Sequence, residues 1–399
     1  MLKNSSMKEI VDYLLNLYKV NSITEIPTED KVDFLCYLLA TDTYGLDQIL
    51  SQNSPVLRTV RGHTFETYFD EVLYLNGYSS QEMGGDSSID RVVNGHTLQL
   101  KTPYKNGTKH GIAQYKTHKT HGAKSEQESM SYYHKLSSFS DFFVGLISYN
   151  PQQFLILHKS QLPLVSTNDN ISRIKSPFSI DLTNTDGINA FHKLGVSVNP
   201  ESILELYPNN NEILPETVKK CGVTTEVIVN TIINKSNFRV WDMAIKGFAR
   251  EYAFEKYAAK INLHIQDPKV TGRPRYDKAD FVIEDGSQYL FLQMKGLSIG
   301  NCKLDLEDPI LGTETQLTRG RVNDHPTQSR LYLVADFDYL LLAVDPTIVS
   351  ICNKIPLSDN LSWEFYKIPV SYLQFHPKFN NRLKSVQKFY YSELEKFRM

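Results

Sequence analysis

The same order of residues occurs twice in this chain, about 190 residues apart (Asp90 to Asp280). The first copy places Gly62 and Glu66 in a helix-like stretch, then Asp90, then Gln99-Leu100-Lys101 at the end of a short apolar strand. The second places Gly247 and Glu251, then Asp280, then Gln293-Met294-Lys295. In each, a Gly stands four residues before the Glu, and the Asp follows about 25 to 30 residues after it. The logic of internal repeats reads this as one structural unit used twice.

Length supports that reading. A chain of 399 residues with 41% hydrophobic content can bury sizeable cores and favours two or three domains. The net charge of −2 says nothing about partners, so an anionic partner must be met by a local patch. The cysteines Cys36, Cys221, Cys302 and Cys352 are scattered, with no C-x-x-C pair, and are expected to be reduced structural thiols. The N-terminal stretch carries charge and no uninterrupted apolar core, and no window approaches the roughly 18 apolar residues of a membrane span. The expectation is a soluble, cytoplasmic protein without membrane contact.

Periodicity divides the chain into a helical N-terminal segment (1–57), a first module (58–165), a connector (166–237) and a second module (238–399). In the first module a helix is expected from Thr64 to Leu75. Strands follow at Ile89 to Val93 and Thr97 to Lys101 around Asn94-Gly95, a strong hairpin signal, and then at Phe142 to Tyr149 and Phe154 to His158. The connector is rich in Asn, Ser, Thr and Pro, with one helix expected near Pro215 to Asn234. The second module repeats the order: a helix over Met243 to Lys260, then strands at Asp280 to Ile283, Tyr289 to Lys295, Arg330 to Asp336 and Tyr339 to Val344. A last, highly charged helix is expected from Asn381 to Phe397.

The chemistry follows from the hairpin. Antiparallel strands joined at Asn94-Gly95 bring Asp90 beside Gln99, and Lys101, two residues on, shares the face of Gln99. The Asp carboxylate and the Gln carbonyl would bind Mg²⁺, which neutralises charge developing on a phosphodiester. Lys101 would orient or deprotonate the water, or hold the phosphate. Glu66 restores the negative charge that a Gln gives up. Glu251, Asp280, Gln293 and Lys295 fill the same places in the second copy.

These residues resemble a known family. The run Gly62-x-x-Phe65-Glu66, Asn76-Gly77-Tyr78, Gly84 to Asp90 and Gln99-Leu100-Lys101 is similar to the Mrr-like branch of the PD-(D/E)XK nucleases, which typically uses Gln-x-Lys for Glu-x-Lys and adds a Glu from the first helix. The resemblance implies an α/β (α+β) protein of two tandem restriction-endonuclease-like αβββαβ modules that cut DNA with Mg²⁺, for which Mn²⁺ substitutes. The second copy departs in Ala249-Arg250, which stands where Thr64-Phe65 does, and in thirteen residues from Asp to Gln against nine.

From Arg91 to Ser125 there is no acidic residue. Lys105, Lys109, Lys116 and Lys119 in that stretch suit phosphate contacts, and Arg273, Arg275, Arg319 and Arg321 are the counterparts in the second half. Asp86 reads as a turn cap rather than a ligand. His118-x-x-His121 lacks a second ligand pair, and Asn323-Asp324-His325-Pro326 reads as a turn. The function expected is a type II restriction endonuclease acting on double-stranded DNA as a monomer or homodimer, with a cognate DNA methyltransferase. An inactive DNA-binding scaffold and a modification-dependent or repair nuclease are the alternatives.

Overall fold

The computed structural model describes residues 7–52, 54–83, 89–103, 111–117, 133–149, 152–165, 171–205, 211–234, 240–271, 278–286, 288–317, 330–355 and 362–399. They form two compact units: a middle unit of residues 50–237 and a split unit of residues 1–49 with 238–399. This grouping differs from the division made on sequence, and the contacts say why. Trp363 Nε1 donates to the Leu39 carbonyl at 2.8 Å, tying the N-terminal helices to the C-terminal half. The connector is held to the first module by Tyr68 on the Ile203 carbonyl (3.2 Å) and by Asn94 on the Leu194 carbonyl (3.1 Å).

The N-terminal segment is helical as its apolar stripes imply: α1 (Met7–Tyr18), α2 (Thr28–Leu39) and α3 (Thr43–Gln52). In the middle unit α4 (Ser54–Leu75) begins ten residues before the expected start, because Pro55 falls in the first turn, where no amide bond is lost. Phe65, Tyr68, Phe69, Val72 and Leu73 recur at helical spacing and are each at most 3% exposed. Three of these rings meet Phe154, with centroids 6.0, 5.5 and 5.9 Å away.

The sheet under α4 uses β1 (Gln81–Glu82), β2 (Arg91–Val93) and β3 (His96–Lys101). After β4 (Ile112–Tyr115), β5 (Phe142–Tyr149) and β6 (Gln152–His158) complete it in the order β1-β2-β3-β5-β6. Every pair is antiparallel except β3 with β5. Asn94 and Gly95 take φ 49° and 82°, the left-handed values a two-residue hairpin turn requires. Beyond the short β7 (Leu164–Val165) and β8 (Arg173–Ile174), β9 (Phe178–Asp181) pairs with β4, and Ala113, Tyr115 and Phe178 pack with Phe143 and Ile147 of β5. A strand buried on both faces reads as a continuous apolar run, as β5 does. The unit ends with α5 (Pro200–Glu205), α6 (Pro215–Cys221) and α7 (Thr225–Ile232). The single helix expected over 215–234 is therefore two. Gly222 at φ 72° ends one, and the Thr224 side chain caps the next by accepting from the Val227 amide.

In the split unit a π-helical turn (Val240–Ile245) leads into α8 (Lys246–Lys260). The strands are β10 (Ile265–Gln266), β11 (Phe281–Asp285), β12 (Gln288–Gly296), β13 (Ile310–Glu314) and β14 (Tyr339–Val344). Then come α9 (Pro346–Asn353), β15 (Glu364–Pro369), β16 (Phe375–His376), β17 (Phe379–Leu383) and β18 (Val386–Tyr390). The main sheet runs β10-β11-β12-β14-β15, antiparallel throughout except β12 with β14. This is the strand order and sense of the middle unit. Phe254 of α8 lies 5.1 Å from Phe281 and 5.2 Å from Phe365, as α4 lies on its own sheet. The likeness reaches a detail: the Asp141 carboxylate accepts from the Thr97 amide (3.1 Å), and the Asp338 carboxylate accepts from the Phe291 amide (2.9 Å).

Two expectations fail in this half. Residues 381–397 are not one helix: β17 and β18 occupy the stretch up to Tyr390, only Tyr391 to Phe397 is helical, and β18 pairs with β13 over Ile310 to Glu314, so tertiary pairing overrides a charge pattern that suits a helix face. Arg330 to Asp336 is not a strand. It makes single bridges from Leu331 and Leu333, and the Asp336 carboxylate turns the chain by accepting from the Leu333 amide at 2.8 Å. The partner of β14 is β15, reached through α9. Among the described residues, the stretches that join each parallel pair hold β4 and β13 and no α-helix, so the second helix of the αβββαβ order is not among them. No helix among the described residues is long and apolar enough to cross a membrane.

Candidate active site

In the middle unit the hairpin brings Asp90 against the end of β3. Asp90 Oδ2 accepts from the Gln99 side-chain amide, from the Leu100 backbone amide (2.7 Å) and from Lys101 Nζ (3.4 Å). Gln99 is 2% exposed, so its amide is committed to that carboxylate. Glu66 projects from α4 and lies 3.5 Å from Arg91 and 3.8 Å from His63 Nδ1. Arg91 also holds Asp70 at 3.1 Å, so one buried guanidinium is shared by two carboxylates of the helix. Burial alone would raise the Glu66 carboxyl, but His63, Arg91 and Lys101 outweigh it and hold Glu66 below its usual range.

The split unit repeats this arrangement. Asp280 Oδ2 accepts from the Gln293 side-chain amide (2.5 Å) and the Met294 backbone amide (2.9 Å). Lys295 follows on the same face of β12, its ammonium 5.2 Å from the Tyr332 ring centroid. Carboxylate, amide and ammonium thus converge in the middle unit, at Asp90, Gln99 and Lys101, whereas in the split unit Asp280 and Gln293 are joined and Lys295, on the same strand face, turns its ammonium to Tyr332. Glu251 on α8 stands where Glu66 stands on α4.

The electrostatics differ. Phe281 occupies the place of Arg91, so among the described residues the ion pair that Arg91 makes with Glu66 has no counterpart on Glu251. Burial, then the charge of Asp280, pushes the Glu251 carboxyl up to about 7. Asp280 is raised as well, by burial, against the opposing pull of Lys295, the Met294 amide and Arg250. Burial lowers Lys295, so that ammonium gives up its proton more readily than a solvated lysine. A cleft of about 680 Å³ opens beside these groups, lined by Glu251, Glu255, Asp267, Lys269 and Asp280. Two buried carboxylates that both hold their protons more tightly than usual, even with Arg250 and Lys295 acting on them, mark a place where a further positive charge is electrostatically favoured.

The donors in both places are oxygens, which suit a hard divalent cation. Among the described residues no three His, Cys, Asp or Glu side chains converge on one point, so Gln99 and Gln293 would have to supply an oxygen ligand. Each amide now turns its nitrogen to the Asp; rotation about the last side-chain bond would present the oxygen instead.

Lys116 follows β4 and is exposed. Lys105, Lys109, Lys119, Arg273, Arg275, Arg319 and Arg321, together with Asp86, lie outside the described residues. Sequence reasoning took Arg91 for part of the basic stretch, whereas it is a buried partner of Glu66 and Asp70; the signal was its place next to Asp90, on a strand whose neighbours are apolar. Comparison with family models, curated proteins and solved structures returns no match.

Proposed function

We propose that the chain is a Mg²⁺-dependent DNA endonuclease with two hydrolytic sites, one per unit, each cutting one strand of a duplex. The observation that carries this is the repeated Asp–Gln pairing, with a Lys two residues after the Gln, on the same strands of two sheets with the same order and sense. Glu66, Asp90 and Gln99, and Glu251, Asp280 and Gln293, would hold the cation, as the resemblance to Mrr-like PD-(D/E)XK nucleases implies. Mg²⁺ there supplies neutralisation of the charge that builds on the phosphodiester.

The chain's own residues do the rest. Lys101 and Lys295 draw the phosphate oxygens to the end of β3 and β12. Burial loosens the Lys295 proton, so after releasing that proton to solvent the neutral amine would accept one from the attacking water. Cleavage of this kind at a specific sequence is type II restriction, for which a cognate DNA methyltransferase protects the host's own sites.

The test is supercoiled plasmid incubated with the protein in Mg²⁺, Mn²⁺, Ca²⁺ or EDTA, on methylated and unmethylated substrate. Cutting in Mg²⁺ and Mn²⁺ only is expected. A shifted plasmid left uncut in every metal would mean a DNA-binding scaffold, and cutting confined to methylated substrate would mean a modification-dependent nuclease.

A further inference from the structure

Arg250 occupies the helix position that Phe65 holds in the middle unit, where the ring stacks on Phe154 at 6.0 Å. Its guanidinium lies in a slot between two glycines. A Cβ at Gly247 would come 4.0 Å from Nη2, and one at Gly296 would overlap Nη1. Gly296 directly follows Lys295, so the guanidinium sits at the end of β12 beside the candidate site. Among the described residues Arg250 Nε is buried without a hydrogen-bond partner and Arg250 makes no ion pair. Glu251 and Asp280 reach it only through their fields, and Arg250 in turn acts on Lys295 as a second positive charge.

Such a group is unusual in a folded chain, because a buried charge is normally paired and hydrogen-bonded. Arg91 shows the ordinary solution, with Glu66 and Asp70 both within 3.5 Å. Arg250 has kept its donors free at the cost of that pairing. A guanidinium presents its N–H groups in a fixed fork that matches two oxygens of a phosphate, and it cannot be neutralised by losing a proton.

We propose that Arg250 is the phosphate receptor of the split unit, taking two non-bridging oxygens of the phosphodiester while Lys295 meets it from the strand. This assigns to the split unit an anion subsite that the middle unit lacks, since Phe65 stands in its place. It rests on the reading of this site as one that receives DNA phosphate, and its test is chosen to separate the two.

The metal-free full chain in EDTA is titrated with inorganic phosphate while arginine Nε–Hε resonances are followed by NMR. The Arg250 signal is assigned by its loss in Arg250→Lys. It is expected to move and saturate while the Arg91 signal stays still. Gly296→Ala, which crowds the guanidinium without removing it, is expected to weaken that response. In a Lys101→Ala background, Arg250→Ala is expected to lower the remaining strand cleavage about 100-fold, and Arg250→Lys to restore part of it. A saturating Arg250 signal with no DNA cleavage by any form would keep the anion site and remove the nuclease reading. An unmoved Arg250 signal together with unchanged cleavage in Arg250→Ala would overturn the anion site and leave the nuclease reading intact.

Discussion

Replacing Glu251 by Gln tests the electrostatic account of the split unit without any substrate. The Glu251 carboxyl ionises at about 7 in the folded chain, against an ordinary value of 4.5. The sign follows directly. A carboxyl raised in the folded state holds its proton more tightly there than in the unfolded chain. Its effect on stability is nil below about pH 4.5, turns unfavourable between about 4.5 and 7, and is fully unfavourable above that. At 1.36 kcal/mol per tenfold step, the full cost is about 3 kcal/mol. Gln keeps the size and a hydrogen-bonding amide but cannot ionise, so Glu251→Gln removes the cost. In EDTA the variant should exceed the native chain by about 2 to 3 kcal/mol near pH 8, a rise of roughly 5 to 10 °C in Tm, and match it near pH 4.5. Thermal and urea melts at the two pH values are the assay. A stability difference of the same size at both would refute the reasoning, because it would place the effect in packing rather than in charge. The counterpart Glu66→Gln should carry the opposite sign: Glu66 is held low, so its contribution is present above the unfolded value and is lost as pH falls through the folded one.

Arg91→Ala leaves Glu66 and Asp70 without their shared cation in a place where Arg91 is 6% exposed, and should cost about 3 to 5 kcal/mol in urea melts near pH 7; retention of native stability would mean that water already screens the pair. Asp141 is held down to about 2 by the Thr97 amide and hydroxyl and by Lys159, but more than a third of its side chain is open to solvent, so Asp141→Asn should cost only about 1 kcal/mol at neutral pH, a cost that fades between about pH 4 and 2. Phe154→Ala removes the fully buried ring on which Phe65, Tyr68 and Phe69 converge, and a loss of about 3 to 5 kcal/mol from the middle unit should appear in calorimetry.

Much of the site was legible because its residues are local. Asp90 and Gln99 are joined by a turn whose chemistry is written in Asn94-Gly95, and alternation along one strand puts Lys101 beside them. The strands at 142–149 and 339–344 were legible for a related reason, since central strands buried on both faces are unbroken apolar runs. What was missed depends on distant partners. Val386 to Tyr390 becomes a strand only because Ile310 to Glu314 offers an edge, and nothing in its charge pattern announces that. The α9–β15 passage was overlooked although Asp345-Pro346 is a helix-start signal, with the Asp345 carboxylate accepting from the Ile348 amide. The role of Arg91 was missed for the same physical reason: a basic residue is assigned by what it meets, and Glu66 and Asp70 are more than 20 residues away in sequence, with only its place beside Asp90 on an apolar strand to hint at it.

The central claim, two sites each cutting one strand, is tested most directly by following the topology of a supercoiled plasmid in Mg²⁺ with native protein, Lys101→Ala, Lys295→Ala and the double variant. The account predicts linear product from the native chain, nicked circles that persist with either single variant, and uncut plasmid, still shifted in a gel, with the double variant. Linear product from either single variant at the native rate, or no nick from any form in Mg²⁺ or Mn²⁺, would contradict it.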